Sequence, residues 1–192
     1  MLNLTASVPI RQKIKLCTED EEAKNFFAAL NRTIKLPVHY IKGTLGSDTY
    51  VSIIEQNLEI MLSKEILILL DGDAKINKIK NKEANILKLP GKASPERVLA
   101  EFLSSLSDID PCWNKIASGY SKAVCFRDVT YKDIMKNRVL AKNWFQQQKA
   151  LYPKWLGTIV STWIKANPEA FDQFKKQLIN YYNNVFLPEV WK

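Results

Sequence analysis

Residues 65–73 read Glu-Ile-Leu-Ile-Leu-Leu-Asp-Gly-Asp, an apolar run from Ile66 to Leu70 that Asp71 stops. A run of that length with no polar face suits a central strand of a parallel sheet, covered on both sides. It falls far short of the roughly 18 apolar residues that span a bilayer, so no membrane-embedded protein is expected. In a parallel α/β sheet, ligands gather at the carboxyl ends of the strands. Asp71 and Asp73 stand at such an end, with Gly72 between them.

Upstream, Lys13 to Thr18 alternates enough for a first strand and runs into Glu19, Asp20, Glu21 and Glu22. Acids are favoured in the first turn of a helix, where the dipole is positive. Ala23, Phe26, Phe27 and Leu30 follow at i, i+3, i+4 and i+7, the spacing of an amphipathic helix. Pro37 ends the connection, Val38 to Thr44 reads as a second strand, and Gly46, Ser47 and Asp48 supply turn and cap chemistry for a helix to about Leu62. The order β-α-β-α-β predicts a doubly wound parallel sheet with right-handed crossovers. Glu19 then lies on the same sheet edge as Asp71 and Asp73.

Downstream of the run, Asn85 to Leu89 is expected as a fourth strand, broken by Pro90-Gly91. Ser94-Pro95-Glu96 opens a helix with Ser at the cap, Pro at the first position and an acid in the first turn; Val98, Leu99, Phe102 and Leu103 line its apolar side. Further helices are expected at Pro111 to Ala117, Tyr131 to Leu151, Pro153 to Ala166 and Pro168 to Phe186. The expected architecture is an α/β domain over residues 1–110, a parallel sheet of about four strands with flanking helices. A helical C-terminal region over residues 111–192 packs on it.

Of 192 residues, 46% are hydrophobic and 25% charged, which excludes a mostly disordered chain. The N-terminal stretch MLNLTASVPIRQKIK lacks an apolar core behind a basic start, so a cytoplasmic protein is expected. The net charge of +8 is uneven: residues 131–192 carry 10 basic and 4 acidic side chains. A basic module beside a carboxylate-rich one suits a metal enzyme acting on a polyanion, although a solvated helical surface has the same composition. Lys75, Lys78, Lys80, Lys82, Lys88 and Lys92 likewise read either as phosphate contacts or as a solvated connection.

Cys17, Cys112 and Cys125 fit neither a disulfide framework nor a zinc set, and the only histidine is His39, given a structural role beside Tyr40 in a strand. Ser-His-Asp and Cys-His catalysis are thereby disfavoured. Metal chemistry must use carboxylate oxygens, which select hard ions such as Mg2+ or Mn2+. An Asp-x-Asp pair at a strand end can bind one or two such ions, and three uncompensated acids there would repel one another. Trp144, Trp155 and Trp163 sit in amphipathic patterns that favour helix packing over base stacking.

The set KLCTEDEEAKNFFAAL, ILILLDGDA, LPGKASPERVLAEFL and AKNWF, spread over residues 13–145, resembles the Toprim domain of the OLD (overcoming lysogenization defect) nucleases. The resemblance implies a compact parallel α/β domain, metal-dependent endonuclease cleavage of DNA phosphodiesters, an ABC-type ATPase as a domain of the same polypeptide or as a separate subunit, and an oligomer. A role in phage defence is a further implication. Glu19 matches the glutamate ending the first Toprim strand, Asp71 and Asp73 the magnesium-binding pair, and Glu96 an acid serving a second metal. Lys142 matches a late lysine that stabilises charge on the phosphate; read from its helix alone, it is one solvated lysine among many. The chain departs from the pattern after Glu19, carrying Asp20 and Ala23 where many such nucleases have a glycine and another acid. Asp20 or Glu22 is available to substitute.

No G-x-x-x-x-G-K-[ST] motif is present, so an ATPase must lie elsewhere. Two rivals remain. An Asp-x-Asp phosphatase of the haloacid dehalogenase type places its pair on the first strand followed by Thr or Val, whereas here two β-α units precede it and Ala74 follows. The other is a non-catalytic Toprim-like module serving assembly or nucleic-acid binding.

Overall fold

The computed structural model describes residues 12–44, 46, 49, 66–75 and 85–186. Four strands, β1 (Ile14–Thr18), β2 (Val38–Thr44), β3 (Ile66–Leu70) and β4 (Ile86–Lys88), form one sheet in the order β2-β1-β3-β4, and every pairing is parallel. This is the α/β parallel sheet, with flanking helices and a helical C-terminal region, that the element order predicts. The apolar run takes the interior position, with Leu67 to Leu70 buried. In β1, Ile14, Leu16 and Thr18 are buried and Lys15 is exposed, the alternation of a half-covered strand. His39 lies exposed on the edge strand β2, and Cys17 is only partly buried.

Helix α1 (Glu21–Ile34) buries Ala23, Phe26, Phe27 and Leu30, the stripe its spacing predicts. The other helices named among the described residues are α2 (Pro95–Ser105), α3 (Pro111–Ile116), α4 (Lys122–Cys125), α5 (Tyr131–Lys136), α6 (Arg138–Leu151), α7 (Trp155–Ala166) and α8 (Pro168–Phe186). The C-terminal helices close over α1: Phe26 meets Trp163 edge-on at 6.0 Å and Phe27 meets Phe174 at 6.3 Å. Trp144 and Trp155 cross at 5.4 Å deeper in, so these tryptophans are core side chains. One continuous set of buried residues runs from β1 through α1 and α2 into α8. Among the described residues no helix is long and apolar enough to cross a membrane.

The single helix expected over Tyr131 to Leu151 is two helices. Asn137 leaves the helical region (φ −122°, ψ 113°) and its side chain accepts from the backbone N–H groups of Val139 and Leu140, capping α6. The short α4 was not legible in the apolar pattern; Ser121 caps it through the Val124 N–H. Ser94 occupies the cap position of α2 but makes no capping bond, and its hydroxyl is buried without a partner. The helix expected to about Leu62, and Lys78, Lys80 and Lys82, lie outside the described residues.

Close packing of backbone on backbone sets the turn after β3. A Cβ on Gly72 would stand 2.4 Å from the carbonyl oxygen of Gly91 and 3.0 Å from that of Ala93, so only glycine lets the Asp71-Gly72-Asp73 turn touch the loop before α2. Gly91 in turn has φ +113° and abuts Val98. Gly72→Ala is therefore expected to destabilise the fold by about 1–3 kcal/mol, the usual cost of overpacking, read as a lower urea midpoint with an unchanged slope.

Candidate functional site

Parallel pairing of β1 with β3 sets Thr18 opposite Leu69, and the Glu19 N–H continues the ladder to the Leu69 carbonyl at 3.1 Å. One step on, the backbone N–H of Asp71 donates to Glu19 Oε2 at 3.1 Å. The two strand-end acids are thus held side by side, as their places in the sequence predict. Asp20 caps α1: its Oδ1 accepts from the Ala23 N–H at 2.9 Å, while Thr18 donates its hydroxyl to the Asp20 carbonyl.

Helix α6 lies across these acids. Lys142 Nζ is 2.6 Å from Asp20 Oδ2 and 3.5 Å from Glu22 Oε2. Arg138 Nη2 stands 3.8 Å from both Glu19 Oε1 and Asp20 Oδ2, and Gln146 donates to Glu22 Oε1. Arg138, Lys142 and Gln146 are spaced i, i+4 and i+8, one stripe of the helix. On the flank next to this stripe, Ala141, Trp144 and Phe145 are buried and anchor α6 in the core. Arg138 and Gln146 were not singled out in the sequence, although their spacing from Lys142 was the available signal. Asp20 and Glu22 are engaged by α6.

Asp71 is 2% exposed and its Oδ1 has no hydrogen-bond partner. Burial first, then the charges of Glu19, Asp20, Glu96 and Asp73, push its carboxyl up to about 8. Glu96, in the first turn of α2, is fully buried with neither carboxyl oxygen partnered. Burial raises its pKa and the Asp20 charge adds to this, against the opposing pull of its own backbone N–H and the Ser94 hydroxyl, which lie near without closing a hydrogen bond, and of Lys142. Asp73 is exposed at the end of the turn, and Lys88 donates to the Gly72 carbonyl from beside it at 3.5 Å.

Three buried carboxyl oxygens without partners are costly. An all-oxygen donor set of this kind fits a hard divalent cation. Glu19 and Asp71, held together by the Asp71 N–H, are the residues that could share such an ion, with Glu96 close enough for its charge to act on Asp71 and Asp73 exposed beyond them. Among the described residues no three acids, histidines or cysteines are already gathered around one point at metal-binding spacing. The acids share an edge, and the ammonium of Lys142 stands among them. Comparison of the chain with protein-family models, with curated proteins and with solved structures gives no match.

In cation-free protein the raised Asp71 pKa sets a sign for stability against pH. Unfolded, the carboxyl loses its proton near 3.8; folded, it keeps the proton to about 8. Between those values the native state binds more protons, so this group's stabilisation is full below the lower value and lost as pH rises through the upper one. With chelator present, urea titrations from pH 5 to 8 should show Asp71→Asn gaining stability relative to wild type as pH rises, by at most ~1.4 kcal/mol per pH unit. A difference independent of pH would contradict the assignment.

Proposed function

We propose that the protein is a metal-dependent nuclease module, hydrolysing DNA phosphodiester bonds with Mg2+ or Mn2+ beside an ABC-type ATPase domain or subunit. The observation that carries the reading is the juxtaposition of Glu19 and Asp71 at adjacent parallel strand ends, where Asp71 keeps a buried Oδ1 without a partner; the charge of Glu96, itself buried and unpartnered, acts on Asp71. A divalent ion held there supplies Lewis-acid polarisation of the phosphate and a more acidic bound water. The remaining chemistry falls to the chain's own groups. Glu19, Asp71 and Glu96 provide the oxygen donors, and Asp73 is exposed toward arriving ligand. Lys142, with its side chain 31% exposed, can face charge developing on the phosphate. Arg138, 57% exposed, can contact an adjacent phosphate. The ATPase partner rests on the resemblance to the OLD nucleases.

The second reading, a non-catalytic module, is favoured by one specific feature: α6 already supplies Asp20 and Glu22 with a cation. Incubation of supercoiled plasmid with Mn2+ separates the two. Nicking or linearisation that is abolished by chelator and by Asp71→Asn is expected of the nuclease; intact plasmid at high enzyme excess, with and without the ATPase partner, is expected of the non-catalytic module. Because the proposed DNA contacts are mainly to phosphates, affinity of the Asp71→Asn variant for duplex DNA should fall linearly on a log-log salt plot, with little sequence preference. A salt-independent affinity would contradict that binding mode.

A further inference from the structure

We propose that Lys142 is a built-in counter-ion of the acidic edge, and that a divalent cation enters by exchanging with it at Asp20. This rests on the cation site proposed above and adds a residue that controls its occupancy. Asp20 has two oxygens: Oδ1 is committed to the helix cap through the Ala23 N–H, and Oδ2 is taken by the Lys142 ammonium at 2.6 Å. Asp20 stands beside the strand-end acids: Arg138 Nη2 lies 3.8 Å from both Asp20 Oδ2 and Glu19 Oε1, and Glu19 in turn accepts from the Asp71 N–H. Asp71 and Glu96 carry oxygens without hydrogen-bond partners, and each residue is at least nine-tenths buried.

An ammonium and a divalent ion cannot both occupy the space beside Asp20, because they compete for one oxygen and repel each other at short range. The helix backbone carrying Lys142 cannot withdraw, being held by buried Trp144 and Phe145. The lysine side chain can, on its flexible four-carbon stem. Metal entry is therefore a cation exchange in which Nζ leaves Asp20 Oδ2 and becomes free to meet a phosphate. The protein with Lys142 on Asp20 is the low-affinity form, and apparent metal affinity is reduced by the work of displacing it.

The test is Mn2+ binding, by calorimetry and by the loss of the free-ion paramagnetic resonance signal, on the full chain without DNA. Lys142→Gln should bind Mn2+ about tenfold more tightly than wild type, within the usual range of coupling between two ligands of one site. Lys142→Arg, which keeps the charge, should not gain. Asp20→Asn retains a good cap residue, and in that background Lys142→Gln should change Mn2+ affinity less than twofold. Circular dichroism and urea midpoints check that each variant is folded. Wild type binding Mn2+ with Lys142→Gln equal or weaker overturns the counter-ion role while leaving the metal site standing. An undiminished gain in the Asp20→Asn background also overturns it, because Lys142 then acts only as a distant charge. Absence of Mn2+ binding in every folded variant overturns both this inference and the metal-dependent reading beneath it.

Discussion

The backbone N–H of Asp71 donates to the carboxylate of Glu19, and the parallel register of β1 and β3 leaves neither residue free to move away. Once two strands end side by side with acids at their tips, and a third acid is buried in the helix that packs beside them, the charge must be balanced. Three means exist: a proton, an internal cation, or a bound one. The chain itself supplies the first two. Asp71 holds its proton to about 8, and Lys142 sits on Asp20. The proposed function assigns the third.

That balance depends on parts of the chain far from the strands. Lys142 reaches Asp20 because Ala141, Trp144 and Phe145 bury the adjoining flank of α6 and fix its rotation. Asp20 presents Oδ2 because its Oδ1 is held by the first turn of α1. The loop that leads into α2, and so to Glu96, touches the turn after β3 because residue 72 is a glycine. The site is thus assembled from β1, β3, α2 and α6, which one continuous core holds together.

Much of this was legible in the sequence, for identifiable reasons. The unbroken run Ile66 to Leu70 could be satisfied only by burial on both faces, and β3 takes that position. The spacing of Ala23, Phe26, Phe27 and Leu30 left one possible buried face for α1. Strand order alone placed Glu19 and Asp71 together. The break at Asn137 was missed because the apolar pattern runs across it and a cap is a local hydrogen bond, invisible to periodicity. Arg138 and Gln146 were missed because their partners lie more than a hundred residues away, and only packing brings them near. Ser94 looked like a cap by its place before Pro95, yet its hydroxyl is buried and unpaired beside Glu96. The local rule gave way where the acid site is built.

The proposed function requires a divalent cation at the edge formed by Glu19 and Asp71, near Glu96. Crystals of the full chain soaked in Mn2+, with diffraction recorded at the manganese absorption edge, address it directly. An anomalous peak coordinated by Glu19 and by Asp71 Oδ1, within reach of Glu96, is the expected result. An empty edge at saturating Mn2+, with the Asp71 and Glu96 oxygens still unpartnered and Lys142 still on Asp20, would contradict it.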